Sequence, residues 1–183
     1  FEYSIGPSYY YSTNLKVGKT IGYSVSANIG QWMSSAIGLR AGINLTNAAW
    51  TKASETTSLL GKSGVSLDAM LNPFGFTRHY NWDSPVGLNL YGGYELGQLQ
   101  LVHTNINDKT SGRYAGYRLG AQFWAKITND LRLTFEPNYI LIEHFDRPDG
   151  RMKYSQTDFK LGLAVLFRNK LQRNYDVNNA KND

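Results

Sequence analysis

The sequence predicts an all-β protein: an eight-stranded antiparallel up-and-down barrel that crosses a membrane. Three observations carry this expectation. Apolar residues recur at every second position through eight segments, the period at which strand side chains change faces. The other face of these segments mixes charges with glycine and small residues. The connections between segments alternate, with one exception, between long and short.

The segments follow in order. Residues 1–10 set Phe1, Tyr3, Ile5 and Tyr9 against Glu2, Ser4, Gly6 and Ser8. Residues 20–30 set Ile21, Tyr23, Val25, Ala27 and Ile29 against serines, Asn28 and glycines. In residues 36–45, Ile37, Leu39, Ala41, Ile43 and Leu45 oppose Gly38, Arg40, Gly42 and Asn44. Residues 64–72 oppose Val65, Leu67, Ala69 and Leu71 to Ser66, Asp68 and Met70. In residues 86–96 the apolar set is Val86, Leu88, Leu90 and Tyr94, against Asn89, Tyr91 and Glu95. Residues 116–127 alternate Tyr117, Leu119, Ala121, Phe123 and Ile127 with Arg118, Gly120, Gln122, Trp124 and Lys126. Residues 131–141 alternate Leu131, Leu133, Phe135, Tyr139 and Leu141 with Arg132, Thr134, Glu136 and Asn138. The last segment, after Asp158, sets Leu161, Leu163, Val165 and Phe167 against Lys160, Gly162 and Ala164. Each run spans roughly ten residues, enough to cross a bilayer when tilted. Turn-forming clusters fall between them, as in Asp146-Arg147-Pro148-Asp149-Gly150.

The distribution of charge decides which face is inside. A soluble sandwich also alternates, but its polar face meets water and has no need of glycine, which weakens a strand interior. Here the charged face reads Gly38-Arg40-Gly42, Arg118-Gly120 and Lys160-Gly162. A narrow lumen requires that mixture, because long side chains must fold into space left by small ones. The expected lumen network is Glu2, Asp68, Glu95, Glu136 and Asp158 with Arg40, Arg118, Lys126, Arg132 and Lys160. Acids and bases balance, as an enclosed polar interior demands. The apolar face then meets lipid, with Leu163 outward and Lys160 inward. Tyr3, Tyr9, Tyr23, Tyr94, Tyr117, Tyr139 and Phe167 supply aromatic girdles. A lipocalin-like cup is disfavoured because its lumen is apolar.

Composition narrows the classes. The chain has 183 residues, no cysteine, 13 tyrosines, 18 glycines and a mean hydropathy of −0.41. Absent cysteine excludes a disulfide scaffold and thiolate metal sites. A net charge of +5, scattered along the chain, is no nucleic-acid signature. No apolar window reaches the ~18 residues of a membrane helix.

Loop lengths suggest an orientation. The first, third, fifth and seventh connections are long, and the second and sixth are short. That is the pattern of an outer-membrane barrel, long loops outside and short turns in the periplasm. The fourth, residues 72–85, is long where a short turn is expected.

The whole chain resembles the N-terminal barrel domain of the outer-membrane protein A (OmpA) family. The stretch DAMLNPFGFTRHYNWDSPVGLNLYGGY is similar to a segment of family members whose chains continue past the barrel. Lys160, Gly162, Val165 and Phe167 resemble the family's final-strand insertion signal, read by the outer-membrane assembly machinery. The resemblance implies a Gram-negative outer membrane, with loops extracellular and termini periplasmic. Residues 1–168 would form the barrel and residues 169–183 a polar periplasmic tail or linker. The implied partners are outer-membrane lipid, the assembly machinery during insertion, and peptidoglycan or periplasmic or membrane proteins reached through a region after Asp183.

Catalytic chemistry is sparse. His79, His103 and His144 lie in or beside different connections, without metal-ligand spacing. His103 with Thr104 could form the rim site of a lipid-modifying enzyme, but no nearby carboxylate orients the histidine. Asp149-Gly150 reads as a turn rather than a cation loop. Asn44 matches a glycosylation sequon but points inward. The expected function is a non-enzymatic membrane anchor that presents loops, without cofactor, metal or nucleic-acid partner. The alternatives are a narrow, porin-like pore or a subunit of a larger membrane complex, and the rim-site enzyme.

Overall fold

The computed structural model describes residues 2–11, 20–51, 57–77, 84–103, 108–145 and 154–166, with side chains for 22–47, 61–77, 84–100, 111–142 and 155–166. The strands are β1 (Glu2–Tyr11), β2 (Thr20–Trp32), β3 (Ile37–Thr51), β4 (Thr57–Leu71), β5 (Val86–His103), β6 (Asp108–Lys126), β7 (Leu131–Phe145) and β8 (Tyr154–Val165). A 3-10 turn, Pro73–Phe76, follows β4. Every strand pairs antiparallel with its sequence neighbour, and β8 pairs with β1. The result is an all-β antiparallel barrel with no free sheet edge among the described strands. β1 enters this description through its backbone pairing alone.

The ladder fixes a tilt. From Tyr117 one way, the register runs through Leu141 and Ser155 to Tyr11. The other way it runs through Tyr94, Leu67 and Ala41 to Ile29, beside the start of β1. The ring closes with a stagger of about ten residues, the kind of offset that tilts strands in a small barrel.

The barrel is apolar outside and polar within. Ile37, Leu39, Ile43 and Leu45 of β3 and Val65, Leu67 and Leu71 of β4 all point outward and stay exposed. Leu119 and Leu161 do likewise, at 65% and 57% exposure. A soluble monomer rarely leaves more than a few hundred Å² of contiguous apolar surface open. Here the band encircles the described wall. On β5 it runs from Val86 to Leu96, roughly 25 Å of height at the tilt of a small barrel. That matches the lipid-facing band of membrane barrels. No described helix is long and apolar enough to cross a membrane.

Aromatics border the band. Tyr23, Tyr94, Tyr117 and Tyr139 are exposed near its upper edge, with Phe159 beside them. Tyr94 and Tyr117 meet edge to face at 5.3 Å. Below, Phe123 and Phe135 stack at 6.3 Å. The side chains of Tyr3 and Tyr9, and all of Phe167, lie outside the described residues.

Several strands are longer than the alternation predicts. β5 continues to His103 rather than ending near residue 96, and β6 begins at Asp108 rather than 116. Likewise β3 runs to Thr51, β4 starts at Thr57, β7 reaches Phe145 and β8 starts at Tyr154. The physical reason is a change of pattern. Beyond the tyrosine row the outer face turns polar, at Gln98, Gln100, Ser111 and Arg113. The inner face takes in apolar residues, with Leu99, Ile140 and Ile142 fully buried beside Lys62 and Gln156.

The facing assignment predicts an asymmetric response in β8. Leu161→Arg should cost ~2–4 kcal/mol of folding free energy in lipid, as cations do near the midplane of a barrel wall. Leu161→Val should be nearly neutral. Heat-modifiable gel mobility after refolding into vesicles measures both.

Candidate functional site

The chemically distinctive region is the lumen. Alternation aims one face of each strand inward, so among the described side chains β2 to β8 each contribute two to four polar groups at staggered heights. The centre is a chain of alternating charge. Lys62 Nζ lies 2.7 Å from Glu95 Oε1. Glu95 Oε2 accepts from Arg118 Nη1 at 3.2 Å. Arg118 Nε lies 3.7 Å from Asp68 Oδ1. Asp68 Oδ2 accepts from Arg40 Nε and Nη2 at 3.2 and 3.0 Å. Arg40 Nη1 donates to Glu136 Oε1 at 2.6 Å. All six are at most 3% exposed, and their charges cancel.

Neutral groups complete the shell. Tyr114 Oη donates to Glu95 at 2.5 Å and Gln122 Nε2 to Glu136 at 2.8 Å. Asn89 Nδ2 donates to Gln122 Oε1 at 2.9 Å. The Tyr91 ring fills the space between the guanidiniums of Arg40 and Arg118, whose Cζ atoms lie 4.0 and 5.9 Å from its centroid. A second cluster occupies the β8 side. Gln156 Nε2 donates to Asp158 Oδ1 at 2.7 Å, and Lys160 Nζ stands 3.8 Å from Asp158 Oδ2. Lys160 also donates to Asn44 Oδ1 and Ser26 Oγ across the lumen, at 3.5 and 3.4 Å.

Glycines make the room. An added Cβ at Gly120 would strike the Tyr91 ring, and one at Gly64 would strike the Tyr114 hydroxyl. At the opposite mouth the Arg132 guanidinium lies 3.6 Å over the Trp124 ring, itself seated against Gly87.

Of the ten lumen residues expected, Arg40, Asp68, Glu95, Arg118, Arg132, Glu136, Asp158 and Lys160 are buried inside. Lys126 ends β6 at the mouth of the lumen, half-buried, opposite Arg132. Its backbone N–H donates to Pro85 O at 2.7 Å. The backbone of Glu2 pairs with Asn28 and Ala164, and its side chain lies outside the described residues. Within the insertion pattern, Gly162 follows buried Lys160, and Val165 faces outward opposite Leu131. Asn44 is buried, as its inward position requires. The backbones of His103 and His144 lie in β5 and β7, and His79 falls outside the described residues.

Sequence reasoning missed Lys62, assigned to a loop because β4 was started at residue 64. The signal was available: Lys62, Gly64, Ser66 and Asp68 share one parity. Tyr91 stands on the polar face of its segment without being named as a lumen filler, and Tyr114 precedes the segment expected to start at residue 116.

An apolar wall around a charge-paired interior defines a class, the outer-membrane type of β-barrel. Among solved structures, the chain is similar to Neisserial surface protein A (NspA), at 17% identity and TM-score 0.62, over 91% of this chain and 95% of that one. It is also similar to Ail, the attachment invasion locus protein of Yersinia pestis, in complex with the heparin analogue sucrose octasulfate. There the identity is 12% and the TM-score 0.55, over 91% and 97% of the two chains. At these identities the likeness is one of fold. No protein-family model and no curated protein matches the chain.

The network predicts unequal costs for neutralising two cations. Arg118→Met strips Asp68 and Glu95 of a shared partner and should cost ~3–5 kcal/mol, the range for halving a buried ion pair. Lys126→Met, at the wet rim, should cost ~0.5 kcal/mol or less. Urea titration of the refolded barrel in vesicles compares them.

Proposed function

We propose that the chain is an eight-stranded transmembrane barrel of a Gram-negative outer membrane, OmpA-like, that acts as a non-enzymatic anchor and presents its long loops outside. The observation that carries this reading is the inverted polarity, an encircling apolar band around a neutralised charged lumen. Lipid offers no partner to backbone groups, so a spanning sheet must close on itself. The ladder from β1 to β8 supplies that closure. Interior groups are committed to one another: Arg40, Arg118, Lys62 and Lys160 each sit within 4 Å of a carboxylate. Such commitment supports a structural rather than a catalytic or transporting interior. The names of the two fold relatives, a surface protein and an attachment invasion protein, agree with display at the outer end. Periplasmic contacts, with peptidoglycan or with protein, would be made beyond β8.

The crowded interior supports poor conductance. Purified protein in planar bilayers should give no stable large channels, and large regular openings would favour the pore reading. Orientation is tested by cysteine chemistry, since the chain has no native thiol. A membrane-impermeant maleimide should label Arg113→Cys in intact cells and Asn129→Cys only after permeabilisation. The reverse pattern inverts the topology and removes the anchoring reading.

A further inference from the structure

The fourth connection is long at the end where short turns belong. Its described part is tightly built. Buried Asn72 caps the turn: its Oδ1 accepts from Phe74 N at 3.0 Å, and its own N–H donates to Ala36 O at 2.7 Å. Ser35 Oγ donates to Gly75 O at 2.7 Å. Gly75 lies so close to the Ser35–Ala36 backbone that a Cβ has no room. Thr77 closes the turn, its N–H and Oγ1 both donating to Phe74 O, at 3.0 and 2.7 Å. The Pro73–Phe76 turn is thus fixed to the turn between β2 and β3.

This fixed mount buries none of its own residues. Phe74 and Phe76 stand 52% and 65% exposed. Holding two phenylalanines in water forgoes the ~25 cal/mol per Å² that burial would return. Phe74 also borders a groove of about 790 Å³ whose walls include Leu88, Phe123, Phe135 and Leu161, all of the outward row. No described residue lining that groove carries a formal charge. The turn is therefore continuous with the apolar band, not a separate patch facing the solvent below it.

We propose that the Pro73–Phe76 turn is a membrane-interface anchor, seating Phe74 and Phe76 in the lipid leaflet at the turn end of the barrel. It rests on the transmembrane reading above. Membrane barrels carry girdles of aromatic residues at both interfaces, and interfacial segments seat Phe and Leu at the boundary between headgroups and acyl chains. On this account the fourth connection is long because it returns to the wall as part of the lower girdle beside Phe123 and Phe135.

Single-cysteine variants carrying a nitroxide, refolded in phosphatidylcholine–phosphatidylglycerol vesicles, test the proposal. Labels at Phe74→Cys and Phe76→Cys should relax more with oxygen than with a water-soluble nickel chelate, as should one at outward-facing Leu133→Cys. Asn129→Cys, on the neighbouring exposed turn, should show the opposite. If positions 74 and 76 behave like 129 while 133 reports lipid, the anchor is wrong and the barrel reading survives. If 133 also reports water, the transmembrane reading itself fails. Benzoylphenylalanine in place of Phe74 or Phe76 keeps an aromatic ring and gives a second measurement. Photolysis should attach acyl chains, and crosslinks to protein alone would overturn the proposal.

Discussion

Neutralising buried charge is the constraint on which the rest of this structure depends. A small barrel turned apolar side out must fill its centre with whatever its other face carries. Desolvating one ion costs several kcal/mol in a real protein, and only close, well-aligned partners offset it. The run Lys62–Glu95–Arg118–Asp68–Arg40–Glu136 meets that demand by alternating sign across five strands. Those contacts join β3, β4, β5, β6 and β7, so the network also ties strands that the ladder does not pair directly. Arg40 on β3 reaching Glu136 on β7 is the clearest case.

That filling needs a particular wall. Bulky fillers come from β3 to β8, while β2 offers Ser24, Ser26 and Asn28, and β3 sets Gly42 against Asn28. Large groups reach across the lumen toward small ones, as Lys160 does toward Ser26. Glycine at position 120 is therefore tied to tyrosine at 91: neither choice is sensible without the other. A substitution in this interior changes packing and charge pairing together, so effects of neighbouring changes will not add.

The alternation of Ile37 to Leu45, or of Leu131 to Leu141, made the fold class and the facing of the wall legible, because lipid and lumen impose opposite polarities on successive residues. Eight lumen residues were legible for the same reason. Strand ends were not. Beyond the tyrosine row the outward side chain is Gln98 and the inward one Leu99, so the alternation reads as ended where only its environment changes. Lys62 was lost in that zone. The pairing of partners was also illegible: parity puts Arg40 and Glu136 inside, but only the stagger of the ring brings strands four apart into contact. The Pro73–Phe76 turn was legible only as part of a long connection, since its distinguishing feature is the contact of Gly75 with Ser35, forty positions earlier.

The change beyond the tyrosine row has a mechanical result. β5 and β6 remain paired from the Tyr94–Tyr117 row to His103 and Asp108. At the rise of a tilted strand, that lifts their ends roughly 20 Å above the tyrosines. From inside, Leu99 of β5 and Ile140 and Ile142 of the adjoining β7 are fully buried, beside the polar Lys62 and Gln156. The wall thus continues upward as a mast. A molecule meeting the paired ends of β5 and β6 would find that backbone already ordered, and would lose less conformational entropy on contact than with a slack tether.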